Sequence, residues 1–178
     1  RAVAKSVETD GRLRYVRTYS DGPLFAPATG YYSVYGATAI ERTENALLSG
    51  TDDRLFVDRL TNLFTGRQPK GGNVLLPLDP DAQRAAFNGL AGQRGAVVAL
   101  DPATGAVLAL ASSPSFDPNL LASPSPGDVS DAYDRLAADP REPLEFLDRG
   151  RVDVDLAGRG RRGRHDVPRE GGHQDDGQ

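Results

Sequence analysis

Ser112, Ser113 and Ser115 crowd one short stretch and are the first candidates for nucleophilic chemistry. A serine hydroxyl attacks a carbonyl only when a neighbouring base takes its proton, and neither His nor Lys lies near these three in sequence. They read instead as turn residues whose hydroxyls bond nearby backbone. His165, Asp166, His173, Asp175 and Asp176 carry atoms that ligate metals, but their spacing matches no defined site and nothing around them would fix the geometry. The run Arg159-Gly160-Arg161-Arg162-Gly163-Arg164 has the charge to contact phosphates, yet it lacks interleaved aromatics and is surrounded by Asp153, Asp155 and Asp166. It reads as a solvated segment, and no nucleic-acid partner is expected. Tyr31, Tyr32 and Tyr35 would suit a recognition surface, but aromatics beside short strands read as core. On the residues alone, no catalytic, cofactor-binding or metal site is assigned.

Composition narrows the classes. The 178 residues are 38% hydrophobic and 26% charged with net charge −4, which suits an ordinary globular chain of one or two small domains and excludes collagen, coiled coil or pure disorder. There is no cysteine, so disulfides, thiolate catalysis and Cys-based metal centres are excluded. No run approaches the roughly 18 to 20 apolar residues of a spanning helix, and no charged-then-apolar leader opens the sequence, so no membrane anchor is expected within it.

The elements follow from pattern. Ala2 to Val7 is followed, across Asp10-Gly11, by Leu13 to Tyr19, where apolar or aromatic residues fall mostly on alternate positions, which predicts a hairpin. Ser20 to Thr29, rich in Gly, Pro and Asp, reads as a loop, and Gly30 to Tyr35 as a short strand or turn. Helical periodicity runs from Ala37 to Leu48. A second helix, capped by Thr51 or Asp52, would carry Leu55, Phe56, Leu60, Leu63 and Phe64 and stop at Gly66. A third opens with Asp79 at the N-cap and Pro80 at its first position, and presents Ala82, Ala85, Ala86 and Leu90 as its apolar stripe. Ala96 to Leu100 and Ala106 to Ala111 form a second hairpin across Asp101-Pro102-Ala103-Thr104-Gly105. Both strands are apolar almost throughout, so both expect cover on two faces and a larger sheet around them. After a Pro/Ser/Asn loop, Asp128 would cap a helix carrying Val129, Ala132, Tyr133, Leu136 and Ala137.

Beyond Leu144 the composition changes. Residues 145–178 hold seven Arg, seven Gly and six Asp, with no Ser, Thr or Tyr. Such a segment buries too little apolar surface to offset its ordering entropy and is expected to be disordered.

The stretch from Gly95-Ala96-Val97-Val98-Ala99-Leu100-Asp101-Pro102 through Ser115-Phe116-Asp117-Pro118-Asn119 resembles the opening hairpin of the transpeptidase domain in class B penicillin-binding proteins. Leu24 to Ser33, Thr65 to Val74 and Leu78 to Gln83 are similar to the non-catalytic N-terminal region of the PbpA-like branch. The resemblance covers Ala2 to about Leu144. It implies a membrane-anchored, extracytoplasmic enzyme that cross-links peptidoglycan stem peptides and is acylated by β-lactams. Three motifs carry that chemistry: Ser-x-x-Lys on a helix, Ser-x-Asn, and Lys-Thr-Gly on an edge strand.

None of the three occurs here. Lys5 and Lys70 are the only lysines; Ala2 and Arg67 lie three places before them, Ser6 and Gly71 directly after, and no serine has Asn two places later. In the family the nucleophile motif comes shortly after the position of Leu144, where the composition shifts. A frameshift in a GC-rich gene, or a truncation before the Ser-x-x-Lys motif, accounts for that coincidence. With C at the third codon positions of His165 and Asp166, the codons of His165-Asp166-Val167 read one base later as Thr-Thr and a codon beginning with T, close to the family's Ser-Thr-Phe.

The expected architecture is α+β. An N-terminal non-catalytic, pedestal or dimerisation-like region spans 1–92, the first hairpin and helix of a transpeptidase domain span 93–144, and a disordered tail spans 145–178. The chain is expected to be catalytically inactive and to need no cofactor. Peptidoglycan stem peptides and β-lactams are the partners of the full-length family. A non-enzymatic module binding protein partners in the cell envelope is the rival reading.

Overall fold

The computed structural model describes residues 1–55, 65, 71–90, 92–141 and 143–144. The expected second helix falls almost wholly outside these residues, as do Gly66 to Lys70 and the segment 145–178.

The chain opens with a hairpin of β1 (Ala4–Glu8) and β2 (Tyr15–Tyr19), antiparallel with Val7 opposite Val16, as the alternation predicts. The segment 20–29 is no loop. Gly22–Thr29 form the helix α1, nearly every residue of it buried. Two prolines and a glycine argue against a helix locally, but Pro23 sits in the first turn, where its missing N–H costs nothing. Pro27 does remove a bond, the one its N–H would give the Pro23 carbonyl. Ser115 repairs this: its hydroxyl donates to Pro23 O at 2.7 Å. Burial against the rest of the chain thus overrides propensity.

Gly30 ends α1 at φ 67°, where an added Cβ would also collide with the Thr38 carbonyl. A minimal hairpin follows, β3 (Tyr32–Ser33) and β4 (Gly36–Ala37). The expected single helix from Ala37 is two short ones, α2 (Ala39–Thr43) and α3 (Asn45–Leu48), broken at Glu44, which leaves the helical region at φ −105°, ψ 17°.

The helix α4 (Pro80–Gly89) starts as the sequence predicts, with Asp79 Oδ1 accepting from the backbone N–H groups of Asp81 and Ala82 at 2.9 Å each. Its buried face is not the expected alanine stripe: Ala85 is exposed, and the fully buried side chain is Gln83. The hairpin β5 (Gly95–Leu100) and β6 (Val107–Ser113) has the expected pairing and turn. Asp101 organises that turn by accepting from Ala103 N–H at 2.9 Å and the Thr104 hydroxyl at 2.7 Å, which holds its carboxyl below the usual range.

The two strands differ in burial. β6 lies under α1 and α4 and is buried along most of its length, whereas β5 leaves Val98 and Leu100 more than half exposed. The expectation of cover on both faces holds for β6 and fails for β5, because among the described residues every sheet is two-stranded. A 3-10 turn (Pro118–Leu121) leads to α5 (Pro126–Ala137). The cap of α5 is Ser125, whose hydroxyl accepts from Asp128 N–H at 3.4 Å. Asp128, the expected cap, stands in the first turn, where its charge suits the helix N-terminus.

Two apolar clusters hold these pieces. One joins Ala26 to Phe116, Leu121, Val129, Ala132 and Leu144, with Tyr31 packed against it edge-on to Phe116 at 6.2 Å between ring centres. The other joins Ala28 and Ile40 to Val107 and Leu110, with Val74, Leu76 and Leu78 against it. Each draws on residues from before and after the expected boundary at 92.

Candidate functional site

Among the described residues, those singled out for chemistry do not assemble into a catalytic centre. Ser112 is buried within β6, Ser113 ends that strand opposite Gly95, and Ser115 spends its hydroxyl proton on Pro23. The turn-bonding role expected of Ser115 is therefore a contact with a distant helix. His165, Asp166, His173, Asp175, Asp176 and the arginine run lie outside the described residues. Among the described residues no group of three acidic or His side chains is placed to hold a metal, and no helix is long and apolar enough to cross a membrane.

Two side-chain amides, Gln83 buried and Asn119 half-buried, join the halves of the molecule. Gln83 Nε2 donates to Leu24 O of α1 at 2.7 Å and to Leu110 O of β6 at 2.8 Å, while Gln83 Oε1 accepts from Leu110 N–H at 2.8 Å. Asn119 repeats the reciprocal pattern on β2: its Oδ1 accepts from Tyr19 N–H at 2.9 Å and its Nδ2 donates to Tyr19 O at 3.0 Å. Each amide satisfies the edge groups of a strand as a neighbouring strand would. Both residues lie in stretches that carry the family resemblance, Leu78 to Gln83 and Asp117-Pro118-Asn119, where no local pattern shows what their amides satisfy.

A buried polar cluster lies beside them. Arg17 Nε pairs with Glu41 Oε1 at 2.6 Å, with Glu41 only 3% exposed. The neighbouring Tyr19 hydroxyl accepts from Tyr32 N–H at 2.7 Å. Burial, then the Glu41 charge, push the Tyr19 phenol well above its usual range.

A cleft of about 560 Å³ lies between the β3–β4 hairpin and α5. Leu121 and Val129 are among its apolar lining, and Tyr31, Tyr35, Tyr133, Ser33 and Ser130 bring hydroxyls. Of the three tyrosines expected in the core, only Tyr31 packs there. Tyr32 and Tyr35 are 44% and 69% exposed, because a two-residue strand turns them outward at the hairpin tip. Tyr35 donates its hydroxyl to Pro126 O at 3.3 Å, tying the hairpin to the start of α5.

Comparison with known proteins gives these elements a lineage. Residues 1–74 match the penicillin binding protein A dimerisation domain, and residues 95–143 match the penicillin binding protein transpeptidase domain. The chain is 50% identical over 148 residues to the peptidoglycan D,D-transpeptidase PbpA of Mycolicibacterium smegmatis, covering 80% of this chain and 30% of that protein. It is 47% identical over 142 residues to the peptidoglycan D,D-transpeptidase MrdA of Escherichia coli, covering 78% of this chain and 20% of that protein. The crystal structure of PBPA from Mycobacterium tuberculosis superposes with a TM-score of 0.76 at 49% identity, over 81% of this chain and 34% of that one. That protein has also been solved as a penicillin G acyl-enzyme complex, with a TM-score of 0.75. The chain thus spans about a third of the length of these PbpA relatives, and corresponds to their N-terminal part. With a PBPA-type dimerisation region followed by the opening of a transpeptidase domain, the chain belongs to the class B penicillin-binding proteins.

Proposed function

We propose that this chain is the non-catalytic N-terminal portion of a peptidoglycan D,D-transpeptidase: the scaffold that seats the transpeptidase sheet, without the groups that perform acyl transfer. The observation that carries this reading is the order of the two matched domains together with the absence of Ser-x-x-Lys, Ser-x-Asn and Lys-Thr-Gly from the sequence. Acyl transfer from a D-Ala-D-Ala stem peptide, or from a β-lactam, needs an activated hydroxyl and donors for the oxyanion. The serines at 112, 113 and 115 have neither a lysine nor a histidine beside them in sequence. Peptidoglycan and β-lactams are the partners of the full-length enzyme, at the extracytoplasmic wall. Organisation as a non-catalytic region over 1–92 and the start of a transpeptidase domain over 93–144 belongs to the same reading.

Residues 145–178 fit a frame change. The matched transpeptidase region ends at residue 143, and the composition turns to Arg, Gly and Asp directly after it. Resequencing the gene past the Gln178 codon in three frames tests this. A frame opening near the Leu144 codon with the three motifs in order supports it, and a confirmed frame without them overturns it. Intact-mass measurement after incubation with penicillin G tests inactivity. The chain as it stands is expected to gain no adduct, and stoichiometric acylation would refute the reading.

A further inference from the structure

We propose that the cleft between the β3–β4 hairpin and α5 is a subsite for the uncharged amino-sugar backbone of peptidoglycan, distinct in chemistry from any site for the charged stem peptide. The inference rests on the reading above that the chain serves peptidoglycan.

Among the described residues its lining carries no Asp, Glu, Lys, Arg or His. A stem peptide bears carboxylates and ammonium groups, and burying them against a neutral wall without partners is unfavourable. A β-1,4-linked N-acetyl amino sugar has no charge. It presents apolar C–H faces and a dense set of hydroxyl and amide groups, and the cleft answers both features. Tyr35 and Tyr133 stand 69% and 41% exposed as flat rings that a sugar face can cover. Leu121 and Val129 add apolar surface. Ser130 and Tyr133, three residues apart on one face of α5, have hydroxyls with no protein partner among the described residues, so both are available to a ligand.

The site is also built. The bond from Tyr35 to the Pro126 carbonyl fixes the hairpin tip over α5, and Ser33 Oγ donates to Gly36 O at 3.0 Å and accepts from Tyr35 N–H at 3.2 Å, which sets the turn beneath the ring. A volume of about 560 Å³ lies within the range of pockets that enclose small ligands. A protein partner would bury the same rings but leave the free hydroxyls needing donors and acceptors of their own, so the glycan is the better match.

The test is an NMR titration of the 178-residue chain, reading tyrosine ring protons, with N,N′,N″-triacetylchitotriose as the glycan probe and a D-Ala-D-Ala peptide as the charged comparison. Saturable shifts at Tyr35 and Tyr133 with the sugar alone are expected. Tyr133→Ala should weaken binding about tenfold or more, and Tyr133→Phe, which keeps the ring, only about threefold. Tyr133 is exposed enough for both variants to fold, which dispersion of the remaining signals checks. No shift at ~10 mM sugar, equal affinity in Tyr133→Ala, or preference for the peptide would each overturn the proposal. Ring shifts that depend on protein concentration without sugar would instead make the cleft a contact between copies, and overturn it too. Failure here leaves the acylation test above unaffected, since that test never uses the cleft.

Discussion

Gln83 and Leu110 exchange a reciprocal pair of hydrogen bonds, 2.8 Å in each direction, between a side-chain amide and a strand backbone. Gln83 is completely buried and its Nε2 also reaches Leu24 O, so one residue holds α4, β6 and α1 in register. Gln83→Leu keeps most of the volume but removes the second bond to Leu24 O and leaves the buried N–H and carbonyl of Leu110 without their partner, at about 1 to 3 kcal/mol each. We expect a loss of about 3 kcal/mol or more in chemical denaturation, against almost none for the exposed neighbour Arg84→Ala. Equal midpoints for the two variants would refute the role.

This residue also marks where the sequence stops being legible. Hairpins, the Asp79-Pro80 helix start and the Asp101 turn are local patterns, and each is found where expected. Gln83 looks polar and exposed on the helical pattern, and only β6, 27 residues away, shows what its amide satisfies. The helix at Gly22–Thr29 was hidden for the same reason: Pro27 forbids it locally and Ser115, 92 residues from Pro23, makes it tolerable. The tyrosine cleft joins residue types already noted, Tyr31 and Tyr35, to the α5 face of Ser130 and Tyr133, and no local signal brings those together.

Ser115→Ala should therefore destabilise α1 rather than any turn of its own. Its loss leaves the Pro23 carbonyl with neither an amide nor a hydroxyl donor. We expect a cost of about 1 kcal/mol, with hydrogen exchange accelerated over Gly22–Thr29 more than over Pro126–Ala137. Uniform acceleration across both helices would argue against a local role.

The Arg17–Glu41 pair predicts a non-additive result. Glu41→Leu alone strands the Arg17 guanidinium in a largely buried place, at about 3 kcal/mol or more. Arg17→Met alone strands the carboxylate of Glu41, which is the more deeply buried of the two. The double variant removes both charges and should recover most of the loss, giving a coupling of about 1 to 3 kcal/mol in a double-mutant cycle. Additive losses would mean that the pair does not interact.

Asp139 offers an acid-side check. Its carboxylate accepts from Arg141 Nε at 3.0 Å, Nη2 at 2.7 Å and the Arg141 N–H at 2.9 Å. These bonds hold its pKa down to about 2. A carboxyl depressed in the folded state stabilises it above the unfolded value near 4, and that contribution fades as pH falls toward 2. Carboxyl NMR titration should show Asp139 still ionised at pH 3 in the wild type and its midpoint raised in Arg141→Ala, which removes the guanidinium but keeps the backbone N–H of residue 141. An unchanged midpoint in the variant would remove Arg141 as the cause.

At the alkaline end Tyr19 gives the complementary case. Its phenol is 4% exposed beside Glu41, and ionisation there would put a second negative charge into the same buried place. The folded pKa therefore lies above the unfolded value near 10. A group raised in this way stabilises the fold fully below pH 10, and the contribution is lost as pH rises further, because only the unfolded chain releases the proton. Among the six tyrosines, absorbance at 295 nm should show one that ionises only together with loss of the far-ultraviolet helical signal. Tyr19→Phe should abolish that late step while leaving Tyr32 N–H without its acceptor, so the variant unfolds at lower denaturant yet shows less additional destabilisation above pH 10 than wild type. All six tyrosines titrating together before unfolding would contradict the burial of Tyr19.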